Sequence, residues 1–179
     1  MISGRQLSRD DIRAVWTIDR SEIIDAVYYL IDGELVLKRE HYDMRGWPDG
    51  EADKYTPLLE TCYDHGGWFY GLFDGDRLAG AVVLGSRFVE TGNARLQLKF
   101  LHVGNPYRGK GLGKQLFCLA RDEARRRGAM QLYVSATPSE RTVKFYLGLG
   151  CTVTRAPDPE LFTLEPHDIH LECGVAPSA

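Results

Sequence analysis

A chain of 179 residues suits one domain around a single core, and 44% hydrophobic with 26% charged residues is an ordinary globular make-up. No apolar run approaches the roughly eighteen residues of a membrane span, and the polar start MISGRQLSRDD lacks a basic-then-apolar leader, so no membrane partner is expected. The net charge of −3 is unevenly spread: residues 1–66 hold 14 acids and 8 bases, residues 67–179 hold 11 acids and 14 bases. Such halves either face two ligands of opposite sign or are solvated faces. No dense basic stripe extends beyond Arg125–Arg127, so no nucleic-acid partner is expected. Cys62, Cys118, Cys151 and Cys173 share no metal-like spacing and read as four reduced thiols of a cytoplasmic protein.

In chain order, SGRQL reads as a short strand. Ser8 starts a helix whose first turn carries Asp10 and Asp11, where the helix dipole favours acids. Residues 21–31, SEIIDAVYYLI, read as a second helix, 34–38 as a strand, 43–53 as a loop and 55–65 as a helix. WFYGLF and LAGAVVLG flank DGDR, a hairpin signal, and RLQLKFLHV is a long third strand. Leu112, Leu116, Leu119, Ala120 and Ala124 then recur with helical spacing, and Gly128 ends that helix after three arginines. MQLYVSA is a strand. TPSERTVKFYLGLG is a helix with Thr137 as N-cap, Pro138 at the first position and Glu140 at the third. CTVTRA and IHLECGV close the sheet. The order αα, βββ, αβαβ and a last strand specifies an α/β (α+β) domain with a mixed sheet.

The stretch GNPYRGKGLGKQL carries the chemistry. Gly104, four residues, then Gly109-Lys110 begins a P-loop, but Gly111 stands where Ser or Thr must hold Mg²⁺. The glycines run G-x-G-x-G rather than in the dinucleotide spacing. Glycines at 109, 111 and 113 let successive backbone N–H groups face one anion, the helix start adds free amides, and Arg108, Lys110 and Lys114 add charge. That suits a pyrophosphate held without metal; the plain alternative is a strand–helix turn with packing glycines. In HDIH, His167 and His170 would face opposite sides of a strand, so no metal site is expected.

The segment VGNPYRGKGLGKQLF resembles the acetyl-coenzyme A loop of the GNAT superfamily of N-acetyltransferases: Arg108, two residues, Gly111, one residue, Gly113, after a strand ending in Val103. SERTVKFYLGLGCTV resembles that family's later helix and strand. The resemblance covers about residues 68–155. It implies a GNAT fold over 1–179, a mostly antiparallel central sheet flanked by helices. In that layout 1–66 lies on the acceptor side, 68–155 is the acetyl-coenzyme A core and 156–179 is a closing strand and tail.

By the same resemblance the backbone from Arg108 through Gly109, Lys110, Gly111, Leu112 and Gly113 to Lys114 holds the pyrophosphate. The strand Leu101-His102-Val103 pairs with the pantetheine arm through its backbone, and an amide exposed by a bulge there polarises the thioester carbonyl. Tyr146 is the acid that protonates the departing thiolate. Ser139 replaces the Asn common in relatives and either bonds the pantetheine or only starts its helix. Gln97 replaces a Glu that serves some relatives as base, which leaves the base open among Glu22, His41 and a water chain. The expected reaction is direct attack of a primary amine on acetyl-coenzyme A in a ternary complex; the other-class reading is a non-catalytic acyl-coenzyme A-binding module. Dimers are common in families that look like this, which leaves room for a homodimer.

The acidic front half points to the acceptor. TIDRSEII places Asp19 and Glu22 three apart at an expected helix start, further acids interleave with His41, Tyr42 and Trp47, and Tyr28, Tyr29, Trp16 and Trp47 either line an acceptor pocket or belong to the core. Carboxylates attract an ammonium group and aromatic faces add cation–π contact, so a small cationic amine is the expected substrate, with Glu22 its anchor. The plain alternative is that Asp19 and Glu22 only cap the helix and meet water.

Overall fold

The computed structural model describes residues 1–89 and 94–176. In chain order it holds β1 (Ile2–Gln6), a 3-10 helix (Arg9–Thr17), β2 (Glu22–Ile31), β3 (Glu34–Met44), α1 (Glu51–Asp64), β4 (Trp68–Asp74), β5 (Arg77–Phe88) and β6 (Arg95–Val103). A short 3-10 turn (Asn105–Tyr107) leads to α2 (Leu112–Arg126), β7 (Gln131–Ala136), α3 (Glu140–Gly148), β8 (Thr152–Val153), α4 (Pro159–Leu164) and β9 (Ile169–Gly174). Seven strands form one sheet in the order β1-β4-β5-β6-β7-β9-β8, and β2 and β3 form a separate ribbon. The contacts divide the chain into two compact units, each built from three stretches of the chain.

The first unit comprises Met1–Glu22, Met44–Arg87 and Leu98–Asp122. The 3-10 helix contributes Ile12 and Val15 and the following turn Ile18, which pack with Leu59, Phe69, Leu78, Val83 and Phe100 in one buried cluster. Each such side chain contributes about 1.5–3 kcal/mol when fully buried. Asp11 holds the start of the 3-10 helix: it accepts from the Ser8 amide and hydroxyl, both at 2.8 Å, and from Arg5 Nη1 at 2.7 Å. The Arg5 bond, then the Ser8 amide, hold its carboxyl well below the usual range. Gly80 lets β5 and β6 lie close beneath α2. A Cβ there would come within 2.9 Å of the His102 carbonyl oxygen and 3.2 Å of Leu116.

The second unit comprises Ile23–Asp43, Phe88–Gln97 and Glu123–Ala179. Residues 21–31, expected to be a helix, are the strand β2. Asp32 (φ 51°) and Gly33 (φ 83°) form a two-residue turn with both φ positive, the geometry a tight hairpin favours, and β3 returns alongside to Met44. The strand expected over 34–38 is therefore longer, and the loop expected over 43–53 is shorter because α1 begins at Glu51. The ribbon is fastened to the approach to α3: the Tyr28 amide donates to the Pro138 carbonyl at 2.7 Å, and Val27 bridges Ser139. Ser139, not Thr137, caps α3, its hydroxyl oxygen accepting from the Thr142 amide at 3.3 Å.

Two further corrections fall in this unit. Cys151 and Cys173 form a disulfide, leaving only Cys62 and Cys118 as free thiols. The register explains the pair: Thr152 faces Glu172 in the antiparallel β8–β9 ladder, so the preceding and following residues meet. The helix α4 was not anticipated, although Asp158 caps it with bonds from the Glu160 and Leu161 amides and Pro159 opens its first turn. Its approach is held by Arg95, 1% exposed, which donates to Thr154 Oγ1 at 3.0 Å, Glu172 Oε2 at 3.3 Å and the Ala156 carbonyl at 2.9 Å.

Candidate active site

The glycine loop lies in the first unit, between β6 and α2. Gly109 and Gly111 have φ of 73° and 82°, and a Cβ on either would meet no atom within 4 Å. Their glycine character therefore answers to backbone conformation and open approach, not to packing. Among the described residues, no acceptor is found for the backbone amides of Gly111 through Lys114, since the first bonded amide of α2 is that of Gln115, which donates to the Gly111 carbonyl at 3.0 Å. These four consecutive donors stand at the positive end of a fifteen-residue helix, an arrangement that suits an anion.

The loop's cations are disposed less simply than expected. Arg108 turns back onto protein: Nε donates to the Val103 carbonyl at 3.0 Å and Nη1 to the Ser21 carbonyl at 2.9 Å. Lys110 Nζ donates to the Pro106 carbonyl at 2.9 Å. Lys114 is exposed on the first turn of α2. Arg108 thus bonds the chain's own backbone, a role that sequence spacing alone could not separate from anion binding.

Asp19 and Glu22, expected to share a helix face, lie on no helix. Asp19 sits in the turn after the 3-10 helix, where its Oδ1 accepts from the Ser21 amide at 2.9 Å, and Glu22 opens β2. Trp47 is packed into an aromatic group. Its ring lies 4.8 Å from Trp16, 5.8 Å from Phe100 and 4.8 Å from His102, and its Nε1 donates to the Ile18 carbonyl at 2.9 Å. The Arg20 guanidinium stacks over Trp47 at 5.0 Å and pairs with Glu51 at 3.1 Å. His102 shares a side of β6 with Phe100, away from Leu101 and Val103 as strand alternation requires. Enclosure by these rings, then the charges of Arg20 and Arg108, push its imidazole down to about 3. It is neutral at physiological pH and cannot take a proton from an alkylammonium group.

In the second unit, Ser139 is 2% exposed and its hydroxyl also donates to Thr142 Oγ1 at 2.9 Å, so its side chain serves the helix start. Tyr146 is 6% exposed on α3; burial, then the charge of Asp168, push its phenol well above the ordinary value, so it keeps its proton at neutral pH. Nothing in the sequence singled out Asp168 as a neighbour of Tyr146. Tyr28 lies in β2, and His41 is exposed on β3 with Nδ1 2.8 Å from Asp25 Oδ1. Gln97 is half-buried on β6. The ribbon binds a cation of its own: Lys38 Nζ lies 4.7 Å over the Tyr29 ring. Among the described residues, no helix is long and apolar enough to cross a membrane.

The sequence model of the Acetyltransferase (GNAT) family matches residues 34–150, which include β6, the glycine loop, α2 and α3. The chain belongs to the GNAT family. GNAT proteins are acyltransferases, and the mostly antiparallel sheet flanked by helices is their fold. The chain is similar in structure to nourseothricin acetyltransferase, at 22% identity and a TM-score of 0.70 over 98% of this chain and 99% of that one. A Bacillus anthracis str. Ames protein assigned as a streptothricin acetyltransferase, solved with acetyl coenzyme A, aligns at 18% identity and 0.67 over 96% of each chain. The ribosomal-protein-S18-alanine N-acetyltransferase of Escherichia coli aligns at 14% and 0.61 over 100% of this chain and 97% of that one. No curated protein matches the sequence. GNAT enzymes of this fold therefore include ones named for antibiotics and for an alanine of a ribosomal protein.

Proposed function

We propose that the protein is an N-acetyltransferase that transfers the acetyl group of acetyl-coenzyme A to a small cationic amine by direct attack in a ternary complex. The reading rests above all on the glycine loop and on the backbone amides of Gly111 to Lys114 at the start of α2, for which no acceptor is found among the described residues. They fit the diphosphate of coenzyme A without a metal, and the bound cosubstrate supplies an activated thioester. The backbone of Leu101–Val103 orients the pantetheine arm as an added strand would. Tyr146 holds a proton on its phenol oxygen and gives it to the departing thiolate sulfur. His102 is neutral and acts as a wall, not as the base.

The acceptor class rests on charge and on the ribbon. Asp19 and Glu22 precede and open a hairpin that carries Asp25, Glu40 and Asp43, and Tyr29 already holds an ammonium group over its ring. An alkylamine arrives protonated, since its pKa lies near 10. Carboxylates draw it in, and the ammonium must lose one proton before the nitrogen attacks. The test is release of free thiol from acetyl-coenzyme A with a panel of cationic, neutral and anionic amines. Fastest turnover with a cationic amine, weakening as salt rises, supports the reading. A neutral or anionic best acceptor removes the acceptor class. Binding of acetyl-coenzyme A without turnover on any amine leaves a non-catalytic acyl-coenzyme A-binding module.

A further inference from the structure

The segment Ile18–Ser21 belongs to no helix or strand, yet its backbone carbonyls are held by three different groups. Trp47 Nε1 donates to Ile18, the Asn105 amide donates to Asp19 at 2.8 Å, and Arg108 Nη1 donates to Ser21. Asn105 adds a side-chain bond, Nδ2 to Ser21 Oγ at 3.0 Å. The Ser21 amide donates in turn to Asp19 Oδ1. Two of the three carbonyl partners, Asn105 and Arg108, lie in the short stretch between the end of β6 and the glycine cradle. The segment therefore bonds the base of the anion loop on one side and leads into β2 on the other.

We propose that Asn105 and Ser21 are positioning residues that couple anion occupancy of the glycine loop to the segment opening the acceptor ribbon, so that coenzyme A binding orders Asp19–Ser21. The proposal rests on the acetyltransferase reading above. An anion on the cradle draws the amides after Gly109 toward itself and restrains the turn Gly104–Arg108 at their base. The side-chain bond from Asn105 Nδ2 to Ser21 Oγ passes that restraint to Ser21, while the main-chain bond from Asn105 and the Arg108 bonds hold the segment with or without the anion. Coupling of this kind is reciprocal: an amine that orders the same segment strengthens coenzyme A binding by the same factor.

The test is amide hydrogen exchange with coenzyme A as probe, on wild type, Asn105→Ala, Ser21→Ala and the double variant. In wild type, coenzyme A should slow exchange at Ser21 and Asn105, the two amides that donate to Asp19, as well as at Gly109–Gly113. In either single variant the slowing at Ser21 should shrink by roughly two- to tenfold, the worth of one hydrogen bond, while the slowing at Gly109–Gly113 stays. The double variant should lose no more than either single one, as expected for one shared bond. Unfolding midpoints of all four proteins check that the fold holds, and the two single variants cut the bond from opposite ends. Slowing at Ser21 that survives both substitutions overturns the proposal, as does a wild-type loop that responds while Ser21 does not. If Gly109–Gly113 fail to respond in wild type, the acetyltransferase reading itself fails, which the other outcomes leave standing.

Discussion

His102 and Trp47 meet edge to face, ring centres 4.8 Å apart at 69°, on the side of β6 that also carries Phe100. Packing against these rings leaves the imidazole half-buried and poorly solvated, and Arg20 and Arg108 further oppose its charge. Its folded pKa of about 3 lies below the ordinary 6.5, so between these values the unfolded chain binds a proton that the folded one refuses. Stability is thus full above about 6.5 and falls as pH drops toward 3. His170, lowered by burial, adds to the same trend. Urea midpoints at pH 7, 6, 5 and 4 should show His102→Phe losing up to about 1.4 kcal/mol per pH unit less than wild type. Equal pH dependence of the two proteins would mean that the ring titrates normally.

Tyr146→Phe keeps the ring and deletes the proton. Single-turnover acetyl transfer to the best amine should slow by about 10²–10⁴-fold, with acetyl-coenzyme A affinity unchanged. Because burial raises the phenol, the wild-type rate should not decline through loss of this proton below pH 10. An unchanged single-turnover rate in the variant would take Tyr146 out of the reaction.

Gly111 has a φ of 82° and open space where a Cβ would stand. Gly111→Val therefore strains the backbone without meeting a neighbour, and it turns the local amides away from a shared focus. Calorimetry in the presence of chelator should show coenzyme A affinity reduced at least tenfold, about the worth of one charged hydrogen bond. Wild-type affinity in the valine variant would show that this amide geometry does not hold the anion.

Gly80→Ala is predicted to destabilise through packing alone. The new methyl would stand 2.9 Å from the His102 carbonyl oxygen, a backbone atom that cannot swing aside. Overpacking of this kind costs about 1–3 kcal/mol, measurable as a lower unfolding midpoint in urea with an unchanged slope. A midpoint equal to wild type would show that β5 and β6 separate freely there.

The cysteine pairing has a direct chemical assay. Denatured protein should expose two reactive thiols before reduction, from Cys62 and Cys118, and four afterwards. Four thiols without reductant would mean that Cys151 and Cys173 stand open in the isolated protein.

Most of the back half of the chain was legible because its elements are punctuated: the DGDR turn, the glycine loop, Gly128 and Pro138 ahead of α3, although Ser139 rather than Thr137 is the cap and α4 went unread. The front half misled for a physical reason. A strand covered on one face alternates, but the two-stranded ribbon leaves much of both faces wet, with Ile23 57% and Leu30 47% exposed. Ile23, Val27 and Leu30 fall on the helical spacing i, i+4, i+7 and share no period of two, so the apolar pattern favours the wrong element. The Asp32-Gly33 pair was the signal that decides between them. At the site, charge was readable and direction was not: Arg108 is a cation in any reading, but only the fold turns it onto the carbonyls of Val103 and Ser21. The Cys151–Cys173 pairing, 22 positions apart, depends on the register of β8 against β9, which spacing alone cannot supply.

Thr152 and Val153 are all there is of β8, the last strand in the sheet order, and a covalent bond fastens the chain beside them to β9. So brief a margin offers a foreign chain almost no main-chain groups on which to template, and it cannot peel away to expose β9 while the bond is intact. At the opposite end β1 presents five exposed residues and no such staple. Misassembly into strand-exchanged polymers would therefore grow from β1, and reducing conditions would open the second growth face.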